Sequence, residues 1–310
     1  MKSVNSFEGS KQPIYCVKYT QNGKYILSGG EDRSIKLWNA ESFKMIQTYN
    51  SPCREVLDFV ITRDNGKVGC GGNEGCVYMI DLASSNIVRK YGEHGGRVNC
   101  VSFNEEENVL LSGSYDMKVY MFDLIGRQNT PIFTFCEAKD AIESIQVVQE
   151  LVYTISVDGC LRCYDLRKGL LTTDNINKPL TGISIINNKT LALSSSFDST
   201  ITIFNRALVK TEKVLKSHVN KKFKIPNVTS MDKTIIFTGD EEGYLVEYFL
   251  PTCIIYSSLC CVIQHNINGN SIRDSRWQNW SNFLLIFSTI FNTKFCTNYP
   301  FLIPFLYIYL

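Results

Sequence analysis

A chain of 310 residues with 32 Lys and Arg against 30 Asp and Glu is almost neutral. That balance excludes a long-range positive field able to recruit nucleic acid or an anionic membrane. Hydrophobic residues make up 44% of it, enough for one large all-β domain or two smaller ones.

The opening residues Met1–Glu8 lack the apolar core of a signal peptide. The twelve cysteines, set singly in apolar strand-like runs, read as reduced core thiols of a nuclear and cytoplasmic protein. Ser3–Phe7 is the first candidate strand. Six similar segments follow. Their apolar or aromatic anchors are Trp38, Ile80, Phe122, Tyr164, Phe204 and Tyr248, spaced 42, 42, 42, 40 and 44 residues apart. Six residues before each anchor stands an acid: Asp32, Glu74, Asp116, Asp158, Asp198 and Glu242. Chance does not produce six such registers.

Each unit reads as four short strands. In the third unit these are Val98–Asn104, Val109–Ser114, Lys118–Asp123 and Pro131–Phe135, separated by residues that turn a chain cheaply. Four-strand units at this period, with an acid in the turn before the third strand, predict the blades of a β-propeller. One twisted blade cannot bury both its faces, whereas radially packed neighbours bury them for each other. The expected fold is therefore all-β: six recognisable four-stranded blades over residues 1–250, closed by the strand at 3–7, with a degenerate, missing or artefactual seventh.

After Tyr248 the pattern ends. Residues 251–310 form an apolar, aromatic-rich tail with four charges (Arg273, Asp274, Arg276 and Lys294), twelve aromatics and one glycine. Three readings stand open. The tail is non-native read-through, from a retained intron or shifted frame, as its composition suggests. Or it is a degenerate seventh blade, with Thr252–Val262 as the outer strand of blade six. Or Phe283–Leu310 is a membrane anchor, although Lys294, Pro300 and Pro304 interrupt it and neither flanking run reaches the ~18–20 apolar residues of a spanning helix.

The repeat resembles the WD-repeat family, in which the turn acid usually bonds a His from the loop before the first strand. That slot, 28 residues before the anchor, holds Ser10, Pro52, His94 and Cys136 in the first four units, and His218 lies two residues out of register in the sixth. The resemblance implies that the network is complete at most in blade three, where Phe122 lacks the usual indole donor. Blade packing is then expected to rest mainly on apolar burial, with the acids accepting N–H bonds across their own turns.

A closer likeness runs over about residues 12–250 and is carried by Val56–Asp58, Ile87–Asp116, Ser156–Gly169, Ser195–Asn205 and Lys216–Lys224. These stretches resemble the mitogen-activated protein kinase organisers, a WD-repeat group. Its most specific parts, Asn104–Ser114 and Tyr164–Gly169, are not demanded by propeller geometry. The resemblance implies a seven-bladed scaffold associated with the catalytic spliceosome and with kinase-cascade assembly. Expected partners are spliceosomal or kinase-cascade proteins, with RNA met only indirectly and no membrane unless the tail is an anchor. The chain would act as a monomer within a larger assembly.

Chemistry is sparse. The three histidines, His94, His218 and His265, form no Ser-His-Asp or Cys-His motif by spacing, so no catalytic, metal or cofactor site is expected. Cys160 and Cys163 have the spacing of a metal knuckle, but residues three apart on a strand face opposite ways, and core thiols explain them better. Gly29-Gly30 and Gly71-Gly72 precede no helix and read as turn glycines rather than phosphate loops. Lys216 and Lys221–Lys224 form a local basic patch, best read as a solvated loop. Carried over from the WD-repeat family by position, the top face offers Tyr15, Leu57, Asn99, Glu143, Thr181 and Lys224 in one slot. The second slot holds Glu31, Asn73, Tyr115, Val157, Phe197 and Glu241. From these, Tyr15, Leu57, Asn99, Tyr115, Phe197 and Lys224 are the expected protein-binding residues, because aromatics ringed by polar groups suit an interface core. The alternative is that they plug the mouth of the channel.

Overall fold

The computed structural model describes residues 12–260, apart from 93, 188–189, 196, 217, 222, 231, 242–243 and 251–253. These form twenty-four strands and no helix, assembled as six separate four-stranded antiparallel sheets. In blade three the strands are Val98–Phe103, Val109–Ser114, Val119–Asp123 and Phe133–Phe135, hydrogen-bonded in chain order. The fourth strand of blade six is Ile254–Cys260, so that blade runs on past residue 250. The closing strand expected at 3–7 and the tail beyond Cys260 lie outside the described residues, as does Glu242.

In blades one to five the turn before the third strand explains its acid. Arg33, Gly75, Met117, Gly159 and Ser199, each directly after the acid, are all left-handed, with φ between 55° and 80°. In blades one, three and four the acid holds that turn by accepting the N–H two residues on: Ser34 on Asp32 at 3.1 Å, Lys118 on Asp116 at 3.1 Å and Cys160 on Asp158 at 3.0 Å. A side-chain acceptor here replaces the backbone acceptor a tight turn cannot supply.

The second strands, such as Tyr25–Gly30 and Val109–Ser114, are buried on both faces, whereas the outer strands, such as Met45–Asn50, are mostly exposed, so the cores form between blades rather than within them. Leu27 and Ile35 of blade one meet Phe59 and Val68 of blade two. Val77 and Tyr91 of blade two meet Leu110 and Phe122 of blade three, and the same arrangement continues to blade six. All six anchors, Trp38 to Tyr248, are buried. Cys16, Cys53, Cys70, Cys76, Cys100 and Cys163 are buried free thiols, whereas Cys160 is half-buried. Cys136 departs from the expectation of a core thiol and is exposed. It follows Phe135, whose ring fills the core, so alternation turns the next side chain outward.

The first strand of every blade is innermost, and each packs on the next from Ile14–Tyr19 round to Asn227–Thr229. Together they border one central channel of about 780 Å³. Two runs that the sequence left without a geometric reason acquire one here. Glu107 accepts the Arg63 N–H of blade two at 2.7 Å, and Glu105 accepts the Gln149 N–H of blade four at 2.8 Å. The acidic loop of blade three thus staples both its neighbours. In Tyr164–Gly169, Asp165 accepts the N–H groups of Arg167 and Lys168 and shapes the hairpin.

Candidate functional site

Folding brings together a Ser-His-Asp arrangement that no linear spacing announced. His94 Nδ1 lies 3.0 Å from Asp116 Oδ2, and its Nε2 lies 2.8 Å from Ser112 Oγ. The geometry is that of a triad, but access is not. Ser112 is fully buried, His94 is buried, and the imidazole stacks on Tyr120 at 4.0 Å. No substrate atom can approach Ser112 Oγ, so the group pins a loop to a strand. Burial alone would raise the Asp116 carboxyl, yet bonds from His94 and from the N–H groups of Gly95 and Lys118 hold it below its usual range.

The other blades add polar bonds to the apolar burial between blades. Blade one carries the indole half of the family network: Trp38 Nε1 donates to Ser28 Oγ at 2.9 Å, and Ser28, like Ser112, lies four residues before its acid. In blades one and four, where the loop His is missing, a cation from the third strand takes its place, four residues after the acid. Lys36 pairs with Asp32, and Arg162 NH2 reaches Asp158 at 2.6 Å while its NH1 reaches Ser156 Oγ at 2.7 Å. Against the pull of burial, Arg162, Ser156 and two backbone N–H groups hold Asp158 well below the carboxylate range. In blade two Arg54 approaches Glu74 at 3.4 Å, and in blade five Lys178 meets Asp198 at 2.6 Å.

Blade six solves the problem with a residue that sequence register missed. Asp240 accepts the Val219 N–H at 2.7 Å, as Asp116 accepts that of Gly95 at 2.8 Å. The signal was available: His218 and Asp240 have the same 22-residue separation as His94 and Asp116. His218 Nδ1 sits 2.9 Å from the Tyr248 hydroxyl in a buried site. Burial lowers its pKa, and Asp240 and Asp198 offset this only in part. The folded state therefore disfavours the proton that the unfolded chain accepts near pH ~6.5. Stability contributed by neutral His218 is complete above about pH 6.5 and falls as pH drops toward the folded pKa. Urea unfolding at about pH 7.5 and about pH 5.5 should show this loss in the wild type, reduced in His218→Gln; an equal loss in both would refute it.

The expected top-face residues divide into two groups. Tyr15, Leu57, Asn99, Glu143, Thr181 and Lys224 line the channel, with Phe197 and Val157. Asn99, Glu143 and Thr181 are buried in its wall. The Asn99 amide is spent on Ile142 O at 2.8 Å and Glu143 Oε1 at 3.2 Å. Lys224 leaves blade six and crosses to blade four, where its Nζ meets Glu143 O at 2.5 Å and Glu143 Oε2 at 3.1 Å. Its side chain remains 38% accessible because the lumen is open, although protein walls surround it. Burial opposes its charge, but Glu143 holds its pKa above the usual value. Asp58 serves the other side, accepting from Lys18 of blade one at 2.8 Å and from the Val101 N–H of blade three at 3.0 Å. Much of the channel's charge is thus consumed in tying blades together.

Tyr115 and Phe197 differ from that belt, being 59% and 54% exposed. Tyr115 projects beside the channel mouth, with the Arg97 guanidinium 5.4 Å over its ring. Tyr15, half-buried, also lines the channel; burial, then Glu55 and Glu31, push its phenol up to about 12. Among the described residues, no cluster of three or more His, Cys, Asp or Glu could hold a metal ion, and no helix is long and apolar enough to cross a membrane. The segment proposed as an anchor lies outside them.

Comparison with known proteins agrees with this architecture. The family model described as WD domain, G-beta repeat, matches residues 1–39 and 85–123. The chain is 30% identical over 288 residues to the WD repeat domain-containing protein 83 homolog of Dictyostelium discoideum, covering 83% of this chain and 87% of that protein. It is 33% identical over 242 residues to WD repeat domain-containing protein 83 of Homo sapiens, covering 78% and 77%. The solved structure of U3-55K superposes with a TM-score of 0.70 at 17% identity, over 79% of this chain and 80% of that one, a likeness of fold. WD-repeat propellers generally bind other proteins. With six four-stranded blades, their turn acids and relatives matched along most of its length, this chain belongs to the WD-repeat family, among the relatives of WD repeat domain-containing protein 83.

Proposed function

We propose that this protein is a non-catalytic interaction scaffold of the spliceosome supporting mRNA splicing, in nucleus and cytoplasm, with docking at the channel mouth. The observation that carries the scaffold is the pair Tyr115 and Phe197: large rings more than half exposed on a rigid ring whose His–Asp chemistry is sealed in structural bonds. Exposed aromatics on fixed backbone make effective anchors, because little conformational freedom is lost on binding. The assignment to splicing rests on the resemblance to the kinase-organiser group. Near-neutral charge supports contacts with proteins rather than direct reading of RNA.

Affinity purification with mass spectrometry from the source organism tests the pathway. Spliceosomal proteins should dominate the capture. A capture dominated by kinase-cascade components would instead make the chain a cytoplasmic signalling adaptor. Replacing both Tyr115 and Phe197 with alanine should strip most partners, each anchor being worth ~2 kcal/mol or more of binding. The melting temperature should stay close to wild type, since truncating exposed rings changes stability by only about 0.5 kcal/mol. Normal melting with every partner retained would move docking to another face.

A further inference from the structure

We infer that Arg97 and Tyr115 form a preorganised anion site at the channel mouth, and that the partner segment seated there is a short peptide presenting an Asp or Glu side chain. The inference rests on the docking surface proposed above and names the chemistry of its partner.

Three observations carry it. Arg97 is exposed at the lumen, and no carboxylate pairs with it among the described residues; by contrast, Arg162, Lys36, Lys18, Lys178 and Lys224 each have one. Its guanidinium instead lies over the exposed Tyr115 ring, 5.4 Å from the centroid, and among the described residues no acceptor takes its N–H donors. Both residues are also held in place. Tyr115 N–H donates to Arg97 O at 3.0 Å, Ser114 Oγ donates to Gly96 O at 3.2 Å, and Gly95 N–H donates to Asp116 at 2.8 Å. Blade three, which keeps the His94–Asp116–Ser112 network, therefore presents this pair on backbone tied at both ends. A planar cation with free donors fits a carboxylate bidentately, and preorganisation lowers the entropy lost on binding.

Charge around the mouth favours a single carboxylate over a polyanion. Glu55 lines the same lumen as Arg97, and Glu55 and Glu31 both act on Tyr15 there, so a continuous phosphate backbone would meet negative charge. A peptide can place one acid on Arg97 and neutral or basic residues toward those glutamates. Apolar side chains beside the acid would meet Tyr115 and Phe197.

The test is selection of a phage-displayed random dodecapeptide library on the immobilised full-length protein, followed by affinity measurement on the enriched peptides. Peptides with an Asp or Glu beside an apolar residue should be enriched. Their affinity should fall about tenfold or more on Arg97→Ala, fall less on Arg97→Lys, and stay unchanged on Lys221→Ala. Thermal melting of each variant should match wild type, because Arg97 is exposed. Enrichment of basic or uncharged peptides, acidic peptides indifferent to Arg97→Ala, or no enrichment would overturn the proposal. So would tighter Arg97-dependent binding of an oligouridylate probe. Failure here separates from failure of the docking surface: uncharged peptides still lost on Tyr115→Ala and Phe197→Ala would keep the mouth as interface while removing its acidic partner. Peptides indifferent to all three residues would remove both.

Discussion

Phe122→Ala should destabilise the propeller by about 3–5 kcal/mol, the range for truncating a fully buried aromatic. Phe122 has no exposed surface and sits where blades two and three meet, against Tyr91 at 5.4 Å and edge-on to Tyr120 at 6.0 Å. Gly92 presses on it so closely that a Cβ there would stand 2.6 Å from the ring. The space left by the ring cannot close without moving backbone from both blades, so most of the cavity cost persists. Denaturant unfolding followed by tryptophan fluorescence measures it. A loss below about 1 kcal/mol would mean that the inter-blade core relaxes freely. The Tyr115/Phe197 double variant provides the contrast: if it melts as early as Phe122→Ala, those rings belong to the core and not to a docking surface.

The second large effect concerns charge. Arg162→Met should cost about 3–5 kcal/mol by leaving the Asp158 carboxylate in a poorly solvated turn without its cation. The side chains of Arg162 and Asp158 are only 3% and 10% accessible, so water cannot readily replace the lost partner. Removing both charges with Arg162→Met and Asp158→Asn should recover much of the loss, because the penalty comes from the stranded charge more than from the missing attraction. The pH dependence has a defined sign. A carboxylate held below its unfolded pKa contributes stability that is complete above about pH 4 and disappears as pH falls through the folded value. The gap between wild type and Arg162→Met should therefore narrow on acidification below about pH 4. Equal stability of the two at neutral pH would show that the pair is ornamental, and that backbone N–H bonds alone satisfy Asp158.

Those two experiments probe features of unequal legibility. Phe122 was readable as an anchor because its position recurs with the repeat and because strand alternation points it inward. Arg162 was not. A cation four residues after an acid on a strand looks like an ordinary exposed pair, and only the packed neighbour shows that this face of the strand is buried. Asp240 escaped for a related reason. Counting back from the anchor does not reach it, because the bond to the Val219 N–H depends on where the loop before the blade crosses the turn.

Local chemistry by itself determined the number of recognisable blades, their strand pattern, the buried anchors and the acids that close the turns. Each depends on period-two alternation and on turn geometry within a few residues. Tertiary structure alone decided what each face meets. The curvature of the ring brings Lys224 onto Glu143, 81 residues away, closes Ser112 off behind His94, and sets Arg97 over the Tyr115 ring with no acid paired to it among the described residues. Alternation states which way a side chain points, but only the packing of successive twisted blades states what lies there.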